Sequence, residues 1–329
     1  AEVRRAAVRL ADRLAFGETD AGRVALIVSE LATNLAKHAK SGEILLRAIP
    51  MTRPTGIEIV AVDKGPGMPN LAASRQDGYS TTGTLGHGLG ALQRQSDFFE
   101  IYTHTSGTVS VARVWHSSPP IEIEQGRLAI GGVHVSKPGE DICGDDWDWR
   151  MRNDRLVILV ADGLGHGLSA HDASRAAVSV FGTTHEFDPS RIIADVHAAL
   201  RASRGAAVAC MAIDLERGVA RYCGVGNISG VVLLPTGARH SMVSHNGTAG
   251  HTMPRVQEFS YPVPREAVVV MHSDGVSTHW DLAAYPGLIR RDPSVIAGVL
   301  YRDFSRRRDD VSVVVAKEKP ESVGFSEKQ

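Results

Sequence analysis

The stretch that decides the fold is residues 156–167, which read LVILVADGLGHG. Its first half is a run of apolar, largely β-branched residues, and this pattern predicts a buried strand. Asp162 ends the run and opens a loop rich in glycine. A single Asp-Gly pair after a strand more often marks a turn than a site, so this stretch needs support from the rest of the chain.

Three further aspartates support a site. Asp274 follows the apolar run 267–271, Asp309 precedes the strand-like run 311–315, and Asp145 follows Gly144. Strands that are distant in sequence can deliver such side chains to one end of a β-sandwich. Hard divalent cations prefer carboxylate oxygens, and two of them about 4 Å apart can activate water and hold a phosphate. The aspartates therefore predict a two-metal phosphatase site.

Composition narrows the class of protein. The 329 residues, 43% of them hydrophobic, are enough for two cores, so two domains are expected. A net charge of -1 argues against a nucleic-acid partner. No apolar run is long enough to cross a membrane and no signal peptide is visible, which predicts a cytoplasmic protein. The three cysteines lack paired spacing and are expected in the core.

The chain changes character at residues 117–120, which read SSPP. Before this break we predict helices at 2–16, from 19 or 20 to Gly42, and at 89–96, with strands at 44–49, 56–62, 98–103 and 108–115. After it we predict many strands, near 121–135, 147–160, 206–213, 219–225, 229–234 and 266–271, around two helices near 169–181 and 189–202. This mixture indicates a β-sandwich with helices on its faces. The expected domains are residues 1–116 and 123–317, with a linker at 117–122 and a disordered tail at 318–329.

The second helix carries a polar stripe. Glu30, Asn34 and His38 recur at four-residue spacing and therefore share one helix face. Asn34 has the amide oxygen to bind a magnesium ion that bridges phosphates, and Glu30 can accept a proton from an attacking hydroxyl. Alone, such a stripe is more often a solvated face.

Two glycine-rich segments change that interpretation. Asp63 ends a predicted strand and begins the segment DKGPGM, where its carboxylate can accept a hydrogen bond from the adenine amine while Gly65 and Gly67 let the backbone approach. Residues 83–90 read GTLGHGLG and run into a helix, whose free N–H groups can hold phosphates.

In order and spacing these three elements resemble the GHKL ATPase family, and most closely its small serine kinases and anti-sigma factors of bacterial partner switching. The resemblance covers about residues 1–116 and implies a Bergerat α/β sandwich that binds ATP and magnesium. It implies that Glu30 is the catalytic base, Asn34 the magnesium ligand and Asp63 the adenine contact. The nucleotide loops would contain Gly65, Gly67, Gly86, Gly88 and Gly90.

The aspartate segments, taken in order, resemble the SpoIIE branch of the PPM metal-dependent serine/threonine phosphatases over about residues 121–317. The resemblance implies an α/β fold of the PPM type, an αββα sandwich, with two magnesium or manganese ions. It makes Asp162 and the Gly163 carbonyl bridging ligands, with Asp274 and Asp309 completing the pair and Asp145 holding one metal or supporting it through water.

Some positions stay open within this resemblance. Cys143 replaces the first glycine of the usual motif, so Asp145 is less secure than Asp162. Asp148 and Asp310 are neighbouring alternatives for the ligand positions. Arg150 and Arg175 are candidates for a phosphate-binding arginine, without a pattern that selects either. His166 lies among glycines, which favours a tight-loop role over proton transfer.

The two resemblances together imply a bifunctional α/β two-domain regulator. Its kinase half would phosphorylate serine or threonine on a STAS-type anti-anti-sigma or stressosome-like partner, and its phosphatase half would hydrolyse such phosphoesters. One alternative is a phosphatase whose ATP domain only senses nucleotide or sequesters a sigma factor. Another is an ATPase of repair or chaperone type with a degenerate metal domain, against which the aspartates argue.

Overall fold

A computed structural model describes residues 2–49, 56–68, 88–116, 126–253 and 256–320. Gly86, the expected linker and residues 321–329 of the expected tail lie outside the described residues. The N-terminal domain contains helices α1 (Glu2–Arg13), α2 (Glu18–His38) and α3 (Gly88–Gln95). Its antiparallel sheet has the order β1-β2-β4-β3, with strands β1 (Gly42–Ile49), β2 (Gly56–Asp63), β3 (Phe98–His104) and β4 (Gly107–Trp115).

The alternation along β2 gives this sheet two apolar faces. Ile57 and Ile59 pack against the buried stripe of α2, which includes Ile27 and Val28. Val60, on the opposite face, is also buried, and its neighbours there belong to the second half of the chain. β2 is buried from Gly56 to Val62, and this run includes the charged residue Glu58.

The C-terminal domain has two five-stranded sheets. The first has the order β11-β10-β13-β14-β5 and the second β12-β9-β8-β7-β6. Their strands are β5 (Leu128–Val135), β6 (Asp145–Arg152), β7 (Arg155–Gly163), β8 (Ala206–Asp214), β9 (Val219–Val225), β10 (Ser229–Leu233), β11 (Arg239–Ser241), β12 (Phe259–Pro262), β13 (Val268–His272) and β14 (Val311–Glu318). The helices are α4 (Leu168–Thr183), α5 (Pro189–Ala199) and α6 (Pro293–Phe304).

The layers of this domain follow from its apolar residues. Trp147 and Ile158 of the second sheet share a core with Met271 and Val314 of the first. On its outer face the second sheet packs against α4 and α5, where Phe181 is fully buried. Helix α6 lies on the first sheet. The expected mixed α/β architecture with two domains is confirmed.

Helix α6 is the element that the sequence interpretation missed, since it predicted two helices in this half. All residues from Pro293 to Arg302 are buried, because α6 is covered on one side by β5 and β14 and on the other by β2 and β4. The single strand predicted near 147–160 was also wrong. It is the hairpin β6–β7, which turns at Asn153 in a left-handed conformation (φ 53°).

Two expectations from composition can be compared with the structure. Cys143, Cys210 and Cys223 are buried and form no disulfide, as expected. Among the described residues, no helix is long and apolar enough to span a membrane.

Candidate functional site

The predicted aspartates converge at one end of the two C-terminal sheets. Asp145 and Asp162 lie directly opposite each other on β6 and β7. Asp274 follows β13, and Asp309 precedes β14, the strand beside it. Burial, and then the negative charges of all these neighbours and of Asp310, raise the pKa of Asp162 to about 9. The fold thus brings together the four predicted carboxylates and also Asp310, which was an alternative candidate in the sequence.

Asp145 and Asp310 form the buried floor of this cluster. Asp145 is 1% exposed, and burial together with the charge of Asp310 raises its pKa to about 7, against hydrogen bonds from Ser273 and Ser312. Asp310 Oδ1 accepts a hydrogen bond from the Lys137 N–H at 2.8 Å. The Oδ2 atoms of both aspartates are buried without a hydrogen-bond partner. Such oxygens are costly to bury alone and are the donors that hard cations bind.

Asp274 and Asp309 form the more accessible side. Asn227 Nδ2 donates to Asp274 Oδ2 at 2.7 Å. Burial and the charge of Asp309 raise the pKa of Asp274, although this hydrogen bond opposes the shift. Asp309 Oδ1 accepts the N–H of Asp310 at 3.0 Å. Asn227, two residues after the end of β9, is a site residue that the sequence interpretation did not place.

The loop after Asp162 is held in one conformation. A Cβ on Gly163 would collide with the Ala170 carbonyl of α4, and the Gly163 N–H donates to the Gly144 carbonyl at 3.1 Å. Gly165 and Gly167 both have positive φ. His166 is directed to Glu140, with Nδ1 2.8 Å from Oε1, and is 55% exposed, which fits its expected role in the loop. Gly163 is thereby fixed beside Asp162.

Donor chemistry is the test of whether this cluster fits divalent metals. Among the residues that the structure describes, no group of three or more His, Cys, Asp or Glu side chains is close enough to hold a metal ion as it stands. The two buried, unpartnered Oδ2 atoms are nevertheless of the donor type that a hard cation binds, and burial, followed by the charges of neighbouring carboxylates, raises the pKa of Asp145 and of Asp162. The residues fit a metal pair in donor type.

Three sequence candidates lie away from the cluster. Asp148 is on the opposite face of β6 from Asp145, because side chains alternate along a strand, so it cannot replace Asp145. Arg150 donates to the carbonyls that end α4 and stacks on Phe181, a structural role. Arg175 faces Asp146 at 3.5 Å, on the same side of β6 as Asp148.

A positively charged side chain, Arg204, lies beside the loop that follows Asp162, and the sequence interpretation did not assign it to the site. Arg204 is exposed, and its Nη1 lies 3.3 Å from the position that a Cβ on Gly165 would occupy. Gly205, the next residue, accepts the Leu164 N–H at 3.0 Å. Arg204 is therefore beside the Asp162 loop, and only the folded chain reveals this.

A second set of predicted residues meets in the N-terminal domain. Gly88, at the start of α3, lies against two polar side chains of α2, Glu30 and Asn34. A Cβ there would collide with Glu30 Oε1 and lie 3.8 Å from Asn34 Nδ2. Gly90 is two residues further into α3. The close approach explains why the position next to these polar groups is glycine.

The segment from Asp63 to Met68 forms a tight loop beside the end of α2. Asp63 Oδ1 accepts the Gly65 N–H at 2.7 Å, and a Cβ on Gly65 would lie 3.3 Å from the His38 carbonyl. Gly67 has φ +74° and leaves no room for a Cβ against the His104 carbonyl. The loop therefore has fixed contacts with both α2 and the β3–β4 turn.

Each of the two sites lies in a part of the chain that matches a known protein family. Residues 152–319 match the family model of Stage II sporulation protein E (SpoIIE), and residues 1–114 match the histidine kinase-like ATPase domain. The protein thus joins an ATPase domain of the histidine kinase type to a phosphatase-type domain. The chain belongs to the SpoIIE family, and both resemblances inferred from its motifs are confirmed.

Curated relatives match each half separately. Serine/threonine-protein kinase RsbT of Bacillus subtilis (strain 168) is 37% identical over 92 residues, which are 28% of this chain and 69% of RsbT. Phosphoserine phosphatase RsbX of the same strain is 24% identical over 185 residues, 56% of this chain and 91% of RsbX. One half is therefore related to a kinase and the other to a phosphatase.

Solved structures agree on the fold. A chain from work on the bacterial stressosome as a modular system is 26% identical, with a TM-score of 0.54 over 58% of this chain and 99% of that one. A crystal structure of RsbX in complex with magnesium is 22% identical, with a TM-score of 0.52 over 58% of this chain and 96% of that one.

Proposed function

We propose that this protein writes and erases phosphate on a partner protein. Its N-terminal domain transfers phosphate from ATP to serine or threonine, and its C-terminal domain hydrolyses phosphoserine or phosphothreonine with divalent metals. The observation that carries the phosphatase half is the convergence of Asp145, Asp162, Asp274 and Asp309 with two buried, unpartnered carboxylate oxygens.

The aspartates have separate roles in hydrolysis. Two magnesium or manganese ions, when bound, would supply hydroxide at neutral pH and neutralise the phosphate. Asp162 and the Gly163 carbonyl would bridge the two sites, Asp274 and Asp309 would complete them, and Asp145 would support one from below. Asn227 positions Asp274 through its hydrogen bond. Exposed Arg204 is placed to attract the phosphate dianion to the loop.

Phosphoryl transfer in the N-terminal domain depends on positioning. Asn34 would hold magnesium, Asp63 would accept from the adenine amine, and the backbone at Gly65, Gly67, Gly86, Gly88 and Gly90 would surround the phosphates. Glu30 would take the proton of the attacking hydroxyl, since it lies on the same face of α2 as Asn34. Kinship with RsbT over 92 residues supports this assignment.

The partner we propose is a STAS-domain protein of the anti-anti-sigma or stressosome type. This follows from RsbT and RsbX being the relatives of the two halves, and from the stressosome structure that resembles the chain. We further propose residues 1–116 and 123–317 as the functional domains, with an αββα arrangement in the second, and a cytoplasmic location.

The test is to incubate the protein with ATP, magnesium or manganese, and purified STAS domains. Phosphosites are then mapped by mass spectrometry. We expect phosphorylation that is lost in Glu30→Ala and dephosphorylation that is lost in Asp162→Asn. Absence of both reactions on every STAS domain would refute the proposal. If Glu30→Ala leaves all products unchanged, the N-terminal domain is a nucleotide sensor or a sigma-factor-binding module instead.

A further inference from the structure

Helix α6 is a layer shared by both domains. A Cβ on Gly298 would lie 2.8 Å from Val109 Cγ1 of the N-terminal sheet, while a Cβ on Gly131 of β5 in the C-terminal domain would collide with Ser294 at the start of the helix. The residues around it form one continuous core with both sheets. Because protein interiors are close-packed, α6 cannot shift against one sheet without affecting the other.

The beginning of α6 is clamped to the N-terminal sheet by charge. Arg113 of β4 donates to Asp292 at 2.6 and 2.9 Å and to Glu58 at 2.8 Å. Glu58, 1% exposed, also accepts from Ser294 Oγ at 2.8 Å. Burial favours the neutral acid, but the charges of Arg113 and Arg47 hold the pKa of Glu58 below its ordinary value. This end of the interface is therefore ionised and fixed.

The other end of α6 contacts the turn between β3 and β4. Ser106 in that turn accepts a hydrogen bond from Arg302 at 2.8 Å and donates to Asp303 at 3.3 Å. Just beyond α6, Arg307 donates to Glu43 of β1. These contacts connect the last turn of α6 to two strands of the N-terminal sheet.

The same turn supports the proposed nucleotide loop. The Met68 N–H donates to Thr103 Oγ1 at 2.6 Å, and Gly67 packs directly on the His104 carbonyl. On the other side, Gly107 has φ +135° and leaves no room for a Cβ against the Asp63 carbonyl. A ligand that displaces the Asp63 loop must therefore displace the turn that contacts Arg302 and Asp303.

The chain leaving α6 supports the aspartate cluster. The Phe304 carbonyl accepts the Ser277 N–H at 2.9 Å, and the Arg306 N–H donates to the Gly275 carbonyl at 2.8 Å. A Cβ on Gly275 would collide with the Asp310 carbonyl. Asp274 and Asp309 thus stand on two segments that the end of α6 holds together.

We propose that nucleotide bound at the Asp63 loop controls phosphate hydrolysis at the aspartate cluster through the β3–β4 turn and the C-terminal end of α6. The inference rests on the proposed function of both sites. Binding energies of two coupled sites change each other by the same factor. Where nucleotide changes the affinity of the aspartate cluster for manganese, manganese changes the affinity for nucleotide by an equal factor.

The experiment uses the full chain, with p-nitrophenyl phosphate and manganese as phosphatase probes. Hydrolysis is measured without nucleotide, with ADP and with a non-hydrolysable ATP analogue, at constant free manganese. Nucleotide affinity is measured separately with a fluorescent ATP analogue, with and without manganese. We expect ADP or the ATP analogue to change kcat/KM by about fivefold or more, the lower range of allosteric coupling. Asp63→Ala, which loses the adenine contact, should show no nucleotide effect.

Two variants test the route. Ser106→Ala and Arg307→Gln should keep basal hydrolysis and nucleotide binding but bring the nucleotide effect below about twofold. Arg217→Gln is the matched control. It removes the ion pair between the exposed Arg217 side chain and Asp214, which are 3.8 Å apart, and should keep the full nucleotide effect. Unchanged coupling in both variants, or a wild-type effect below about twofold, overturns the inference while leaving the proposed function intact. Absence of basal hydrolysis or of nucleotide binding overturns both.

Discussion

Glu58→Ala tests the buried charge network between the domains. In the native protein this carboxylate accepts from Arg113 at 2.8 Å, Arg47 at 3.1 Å and Ser294 at 2.8 Å. Removing one member of a buried ion pair costs about 3–5 kcal/mol, because the remaining charge is left uncompensated. Arg113 would keep Asp292, and Arg47 would keep its stacking on Trp147, at 4.2 Å, and the attraction of the Asp148 charge. We therefore expect a loss near the lower limit, about 3 kcal/mol.

The assay is urea unfolding followed by tryptophan fluorescence and far-UV circular dichroism. Since the domains share one core, both probes should report one transition with coincident midpoints. The matched control is Glu186→Ala. It removes the ion pair between Glu186 and Arg191, two exposed side chains that lie 3.4 Å apart. We expect that control to stay within about 0.5 kcal/mol of the wild type. A Glu58→Ala loss under about 1 kcal/mol would refute the claim that this network holds the interface.

Three other sets of substitutions give separate checks. Asp162→Asn should lower phosphatase turnover by more than about 100-fold, since even residues behind metal ligands are worth 10- to 100-fold. The folded-state pKa of Asp162, about 9, lies above its ordinary value, so the metal-free wild type loses stability as pH rises from about 4 towards 9. In EDTA, Asp162→Asn should therefore melt higher than the wild type near pH 8, and an equal or lower melting temperature would contradict the assigned repulsion. Gly67→Ala should lower the unfolding free energy by about 2 kcal/mol, because φ is +74° and the His104 carbonyl blocks a Cβ. Its control, Gly22→Ala in α2, has open space and should stabilise the protein by about 1 kcal/mol in the same urea assay. Asn34→Ala should weaken binding of a fluorescent ATP analogue in magnesium at least tenfold, whereas Glu30→Ala should keep binding and lose about 100-fold in phosphoryl transfer measured with labelled ATP; the reverse pattern would exchange their roles.

Most strands, and the aspartates at their ends, could be located from the sequence because both signals are local. Asp162 and Asp274 each end an apolar run, and the end of a strand is where a side chain reaches the edge of a sheet. Asp148 failed as a ligand for a similarly local reason. It is three positions from Asp145, and the two-residue period of a strand places it on the other face.

The residues that the sequence did not reveal depend on contacts between distant segments. Asn227 reaches Asp274 across 47 positions, and Arg204 approaches Gly165 only after α4 and α5 have packed. No spacing rule connects such pairs, because their proximity is set by the stacking of the sheets. Sequence patterns therefore identified the ligand type at this site better than they identified the groups that orient it.

The apolar residues of helix α6 form a local sequence pattern that indicates a helix buried on all sides. Residues 295–300 of this helix, VIAGVL, are apolar on all sides, and a helix of that kind must be covered all round. One sheet of the C-terminal domain can cover only one side. The second side needs another apolar surface, and Val60, Val62, Val109 and Val111 of the N-terminal sheet form it. The two sites are thus attached to a single layered core, and this shared packing is the physical basis of the coupling that we propose between them.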